Sequence, residues 1–337
     1  MKKLLFAVLA VFIMTSLFAS GRKDNTAATT ATEPAAVTEP VTIRLGGLKG
    51  PTSMGMVKLL DDAENGLTVN KYDFTMAGSA DELTPRFLKG ELDILAVPAN
   101  LGAVLYNNSN GAVKMIAINT LGVIYICEKN GNTINSLTDL KGKTIYATGK
   151  GSTPEYALRY LLAEKGLDMD KDVTLEWKSE PTEVVALMAS KDNAVAMLPQ
   201  PFVTVAGNQL ADLRVAIDLT KEWDALDNGS QFITAGLIAR KEFLENNPQA
   251  AAEFLKEYAA STAYANEHVP EAAVLVEKYN IVKAPIAQKA IPFCNIVCIT
   301  GKDMISSVSG YLEVLYNQKP AATGGKLPAA DFYWSYE

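Results

Sequence analysis

Two short loops in this chain set a lysine beside glycines just before a helix start: Leu48-Lys49-Gly50-Pro51-Thr52-Ser53 and Gly149-Lys150-Gly151-Ser152-Thr153. Glycine lets the backbone come close to a bound group. The free N–H groups and positive dipole end of a helix start attract anions and carbonyl oxygens. With Lys49 and Lys150 added, the loops fit a small ligand carrying a carboxylate, sulfonate or phosphate-like group. The competing reading is a solvated loop charge, the commoner fate of a single lysine. Ser79 opens a third helix start, with Glu82 at capping-box spacing. Asn100 and Gln200 stand just beyond Pro98 and Pro199. Their amides can donate and accept, toward a ligand or toward local backbone. Thr120 and Gly122 lie where two strand-like runs meet, and small residues there suit a hinge. The candidate binding residues are therefore Lys49, Pro51, Thr52, Ser53, Ser79, Asn100, Thr120, Gly122, Lys150, Gly151, Ser152, Thr153 and Gln200. Trp177, Tyr106 and Phe202 could stack on a flat ligand, with ordinary packing as the default for each.

Catalytic and metal-binding sets fail on inspection. His268 is the sole histidine, which removes histidine metal clusters and weakens every His-dependent nucleophile. Cys294 and Cys298 have no further ligand pair to complete a zinc set, so free buried thiols or one local disulfide remain open for them. Cys127 in an apolar run reads as a core thiol. The stretch GLKGPTS lacks the spacing and ending of a P-loop. No cofactor, metal or catalytic residue is expected.

The elements that must position these residues recur. Val41 to Leu45 reads as a strand, Gly46 to Pro51 as a glycine-rich loop, and Thr52 or Ser53 as a helix cap. Thr144 to Ala147 repeats the strand, followed by a loop and a helix with Pro154 in its first turn, Ser152 and Glu155 having capping-box spacing. A helix from Ser79 to Gly90 leads to a strand ending at Pro98; a helix from Pro181 to Ser190 leads to one ending at Pro199. The offset is 102 residues between Thr42 and Thr144 and 101 between Pro98 and Pro199. Two related α/β units with largely parallel sheets follow from that register. Val113 to Cys127 is long enough for two strands meeting at Asn119 to Gly122. Phe232 to Ala239 is a further strand, before a helix from Glu242 to Asn266 that Pro248 breaks.

Length and charge bound the class. The 337 residues suggest about two domains. A formal charge of −7 argues against nucleic acid as a partner. Residues 1–20 have the layout of an export signal: Lys2-Lys3, an apolar run from Leu4 to Met14, then small residues. That run is too short to span a membrane. The stretch LFASG resembles a lipoprotein signal, but Ser20 stands where the lipid-bearing cysteine would be. Residues 21–40, rich in Thr, Ala, Pro and Glu, read as a flexible tether. Loss of Lys2 and Lys3 leaves 29 basic against 38 acidic residues, a charge of −9.

In order along the chain, GGLKGPTS, GELDILAVPAN, NTLGVIYI, SLTDLKGKTIYATGKGSTPEYAL, AMLPQP and ITAGLIARKEFL resemble the periplasmic solute-binding proteins of ABC importers, in the branch that binds sulfonates, nitrate and thiamine precursors. The likeness spans about residues 41–330 and rests on order and spacing rather than on one motif. It implies an α/β fold of two Rossmann-like lobes joined by two crossover strands, the type II periplasmic-binding-protein fold. Lobe 1 would combine 41–120 with 236–337, and lobe 2 would be 121–235. It further implies an exported, monomeric protein that closes on a small anionic or vitamin-like organic solute and delivers it to a permease whose ATPase is a separate subunit. Contact with the membrane would come only through the tether or the permease. Two alternatives stay open: an enzyme of the same fold like the thiamine-pyrimidine synthase, and a ligand-sensing subunit of a receptor.

Overall fold

The computed structural model describes residues 39–336; the expected export signal and nearly all of the expected tether lie outside the described residues. From Pro40 onward the chain forms one unit. Its first part runs β1 (Thr42–Leu48), α1 (Pro51–Met54), α2 (Val57–Glu64), β2 (Lys71–Ala77), α3 (Ala80–Leu88), β3 (Ile94–Pro98), α4 (Ala99–Asn108) and β4 (Val113–Leu121). After Gly122 and Val123 come β5 (Ile124–Lys129), β6 (Thr144–Thr148), α5 (Thr153–Glu164), α6 (Met169–Asp172), β7 (Thr174–Lys178) and α7 (Pro181–Ser190). Then follow β8 (Val195–Pro199), α8 (Phe202–Gln209), β9 (Leu213–Asp218) and α9 (Leu219–Asp224). The last part is β10 (Ile233–Arg240), α10 (Lys241–Asn246), α11 (Pro248–Glu267), α12 (Val269–Lys278), α13 (Ala284–Ala290), β11 (Ile296–Ile299) and α14 (Gly301–Gln318).

Local sequence explains the main choices. In β4, VKMIAINTL is buried at every position but the last, so it shows no polar alternation, as befits a strand covered on both faces. In α3, Leu83 and Phe87 are buried four residues apart on one face. The expected helix is indeed broken at Pro248: Asn247 separates α10 from α11, and Pro248 occupies the first turn of α11, where its missing N–H costs nothing.

Two sheets result, ordered β11-β4-β10-β3-β1-β2 and β7-β6-β8-β5-β9. In the first, β1 pairs in parallel with β2 (Thr42 opposite Lys71) and with β3 (Leu45 opposite Ile94). In the second, β6 pairs in parallel with β7 (Thr144 opposite Thr174) and with β8 (Ile145 opposite Val195). Each sheet then admits one antiparallel strand arriving from the other half: β10 between β3 and β4, and β5 between β8 and β9. The order is the same over five strands, β11 being a sixth at the edge of the first sheet, and it is the two-lobed α/β fold expected from the doubled pattern. The two crossings differ in build. One is direct, through Gly122 and Val123; the other passes through α9 and a loop before β10 begins.

Packing ties the lobes together away from their strand tips. Trp223 of α9 is fully buried. It stacks on Phe232 (centroids 5.3 Å apart, planes 13° apart) and meets Tyr160 of α5 and Tyr311 of α14 at 5.0 and 5.4 Å. Its indole N–H donates to the Ser230 carbonyl and hydroxyl at 3.3 and 3.1 Å. One apolar cluster therefore runs from β3 and β4 through α14 and α5 into the second sheet.

Two buried carboxylates brace the sheets at the ends opposite those tips. Asp93 accepts from Arg44 at 2.5 and 2.8 Å and from Arg240 at 2.9 Å. Glu128 accepts from Arg214 (2.5 Å), the Thr133 hydroxyl (2.5 Å) and the Thr133 N–H (3.1 Å). Burial alone would raise the Glu128 carboxyl; the Thr133 hydroxyl, Arg214 and the main-chain N–H groups outweigh it and hold the group down at about 2. A depressed carboxylate contributes stability above its unfolded pKa, lost as pH falls through the folded one. Acid denaturation of the wild type should therefore steepen between about pH 4.5 and about pH 2. Glu128→Gln should flatten that limb; an unchanged acid limb in urea melts across this range would dismiss the assignment.

Candidate functional site

Each strand in the parallel part of a sheet ends where its loop turns into a helix, and the two sheets turn these ends toward one another. Between them lies a cavity of about 570 Å³. Its wall takes Leu48 to Thr52 and Gly78 to Asp81 from the first lobe, and Thr148 to Ser152 with Trp177 to Ser179 from the second. Pro98 and Pro199, at equivalent strand ends, face in from opposite sides, and Thr120, Val123, Ile124, Thr234 and Ala235 form the floor beside the crossings. Such a volume suits a small organic molecule. The crevice beyond the carboxyl ends of strands is also where open α/β sheets bind ligands.

Of the thirteen candidate residues, eight line the cavity: Lys49, Pro51, Thr52, Ser79, Thr120, Lys150, Gly151 and Ser152. The other five are off the wall, each for a visible reason. Ser53 is buried and its hydroxyl donates to the Leu48 carbonyl at 2.7 Å. Asn100, fully buried in the first turn of α4, donates to the Ala322 carbonyl (3.0 Å) and accepts from the Thr153 hydroxyl (3.3 Å), so these two side chains clasp the lobes rather than face a solute. The Gln200 side-chain oxygen accepts from the Thr204 hydroxyl at 2.9 Å, while the main-chain N–H of Gln200 donates to the Val123 carbonyl at 2.9 Å. Gly122 is a glycine for space: a Cβ there would strike Thr220 and Phe232 of the returning crossing.

The helix starts also depart from expectation. The cap of α1 is Gly50, with Pro51 as its first residue; the Thr52 hydroxyl turns back to the Leu48 carbonyl at 2.9 Å instead of capping. Ser79 and Glu82 form the capping box read from their spacing. Ser152 and Glu155 do not: the Ser152 hydroxyl donates to the Gly149 carbonyl (2.8 Å), and Glu155 accepts from the Gly151 N–H (2.7 Å). Glu180 caps α7, with Glu183 completing a box.

Sequence reasoning left Trp177 as packing and passed over Asp81, Lys178, Glu183 and Thr234, all of which line the cavity. For the second-lobe residues a signal existed: shifted by 101, Ser179 and Glu180 match Gly78 and Ser79, so Trp177 and Lys178 immediately precede an equivalent wall. Tyr106 and Phe202 are buried in the two cores. Cys127, Cys294 and Cys298 are free thiols. Burial pushes Cys127 up to about 12 and Cys298 up to about 11, so neither is a thiolate at neutral pH. Among the described residues no group of three or more His, Cys, Asp or Glu is placed to hold a metal, and no helix is long and apolar enough to cross a membrane.

Residues 110–273 match the family model described as NMT1/THI5 like. An ABC transporter structure from Parabacteroides distasonis superposes with a TM-score of 0.72 at 23% identity, covering 88% of this chain and 100% of that one. The fold is that of the periplasmic binding proteins. The periplasmic aliphatic sulphonate binding protein SsuA from Escherichia coli gives 0.69 at 16% identity, covering 88% and 92% of the two chains. The alkanesulfonate-binding protein SsuA from Xanthomonas axonopodis pv. citri bound to MOPS gives 0.70 at 14%, covering 88% and 99%. A comparison with curated protein sequences finds no match. In this fold the cavity lies in the cleft between the two sheets, beside the two crossings.

Proposed function

We propose that this protein is the solute-binding component of an ABC importer. It captures a small organic solute between its lobes outside the cytoplasmic membrane and presents the closed form to a permease whose ATPase is a separate subunit. The observation that carries this reading is the cavity itself, walled by two sheets that share the order of five strands and floored by the segments that cross between them. A solute bridging both walls binds the closed arrangement better than an open one, and that difference drives closure. The moving parts in this reading are 41–120 with 236–337 against 121–235, in a monomer exported by its first twenty residues. In this reading the protein holds its solute without transforming it.

The sequence pointed to an anionic group or a vitamin-like ring. The wall supports the second more than the first: Trp177 offers a flat face, and Pro51, Pro98, Pro154, Pro181 and Pro199 make much of the surface apolar. Native mass spectrometry of the gently purified protein tests the proposal. The expected result is a stoichiometric adduct of small-molecule mass, lost on partial unfolding and restored by the extracted solute. Absence of any adduct, together with no thermal stabilisation by cell extract, would refute it.

A further inference from the structure

The loops that carry Lys49 and Lys150 on the cavity wall are held in different ways. The loop after β1 is tied within its own half. The Thr52 and Ser53 hydroxyls donate to the Leu48 carbonyl at 2.9 and 2.7 Å, and the Lys49 N–H donates to the Ala77 carbonyl at 2.9 Å. From β4 of the same sheet, the buried Asn119 amide donates to the Thr52 carbonyl at 3.3 Å. The loop after β6 has internal bonds too, from the Ser152 hydroxyl and to Glu155, but it is also tied across to the first half. The Thr153 hydroxyl donates to the Asn100 side-chain oxygen at 3.3 Å. The Asn100 amide reaches the Gly151 carbonyl at 3.5 Å and donates to the Ala322 carbonyl at 3.0 Å. Asn100 stands in the first turn of α4, and Ala322 follows α14. Both Asn100 and Thr153 are wholly buried, beside an apolar cluster shared by α4, α5 and α14, where water does not compete for these bonds. The tie has no counterpart in the other direction. By the 101-residue offset Asn100 corresponds to Pro201, whose side chain neither donates nor accepts, and Thr153 corresponds to Thr52, whose hydroxyl stays with Leu48.

We infer that Asn100 is a positioning residue of the cavity: reaching over from the first half, it fixes the 149–153 loop of the second, so that both lysine loops stand on one frame and the wall at 177–179 closes onto them. This rests on the solute-binding reading above. The contact of Gly78 with Glu180, next in the chain after Ser179, is where that closing wall meets the first half. Asn100 touches no solute in this scheme; it acts through Gly151 and Thr153, and so sets where Lys150 and Ser152 stand on the wall.

Hydrogen exchange of the full chain, read by mass spectrometry, tests the positioning and needs no solute. Asn100→Ala and Thr153→Val should each speed exchange about tenfold over residues 149–156, where the Gly151, Ser152 and Tyr156 N–H groups are bonded, and leave the loop after β1 as in the wild type. Thr153→Ser keeps the hydroxyl and should keep the protection. Unchanged exchange in the folded variants overturns the inference. An equal rise over the whole chain also overturns it, because the bonds would then stabilise the molecule without holding the loop in particular. Should Asn100→Ala fail to fold, Thr153→Val decides alone. The second arm is affinity for the small molecule extracted from the wild-type adduct, which should fall about tenfold in Thr153→Val and return in Thr153→Ser. A loosened loop with unchanged affinity overturns the inference while leaving a binding protein in place. If the wild type carries no adduct, the solute-binding reading fails, and the exchange arm still decides whether Asn100 fixes the loop.

Discussion

Gly78→Val should weaken solute capture by about twofold to thirtyfold while leaving the ligand-free protein folded. Gly78 ends the loop after β2 in the first lobe, and a Cβ there would strike the carboxylate of Glu180, the residue that caps α7 in the second. The two lobes touch at this point on the rim of the cavity, so added volume is felt when they come together. The Glu180 carboxylate is the far end of a flexible side chain and can swing aside, giving up its cap on α7, a loss of about 0.5–2 kcal/mol, which is roughly a twofold to thirtyfold change in an equilibrium constant. The cost falls on the closed arrangement and hence on affinity, not on either lobe separately. Titration calorimetry with the solute identified by mass spectrometry measures it. The decisive control is Gly78→Val with Glu180→Gly, which restores the space and should recover most of the affinity. A double variant as weak as the single one would place the effect in the loop rather than between the lobes.

Trp223→Ala should destabilise the whole molecule by about 3–5 kcal/mol, the usual cost of emptying a large aromatic site. Trp223 has Phe232 stacked against it, Tyr160 and Tyr311 at its edges, and its indole N–H satisfied by Ser230. Because these partners belong to both lobes and to the return crossing, the loss should appear as a lower urea midpoint of a single transition. Two resolved transitions in the wild type would show instead that the aromatic group does not couple the lobes.

The architecture was legible because it is written in periods that a chain shows directly. Prolines closing equivalent strands and a near-constant offset of 101–102 residues announce two copies of one unit, and the sheets carry both with five strands in the same order. Half-buried and fully buried strands likewise show in the pattern of apolar residues. The site was legible only as far as the loops after β1, β2 and β6. Which way a hydroxyl or amide turns depends on partners far along the chain. Asn100 looked like a ligand group until Ala322 and Thr153 claimed its amide. Glu155 sits at capping-box spacing from Ser152, yet its carboxylate goes to the Gly151 N–H, because the Ser152 N–H already donates to the Gly149 carbonyl. Gly122 illustrates the same limit: its neighbours in space come from about a hundred residues further on.

By the 101-residue offset, Glu180 is the counterpart of Ser79, and Gly78 that of Ser179. The contact at Gly78 and Glu180 therefore joins two positions that are not equivalents of one another, and the halves meet there through unlike residues. The missing side chain on one half leaves the room that the carboxylate of the other occupies. A substitution on either half of this junction is thus read against its partner in the other half, and the residue types tolerated at one position are set by the size of the other.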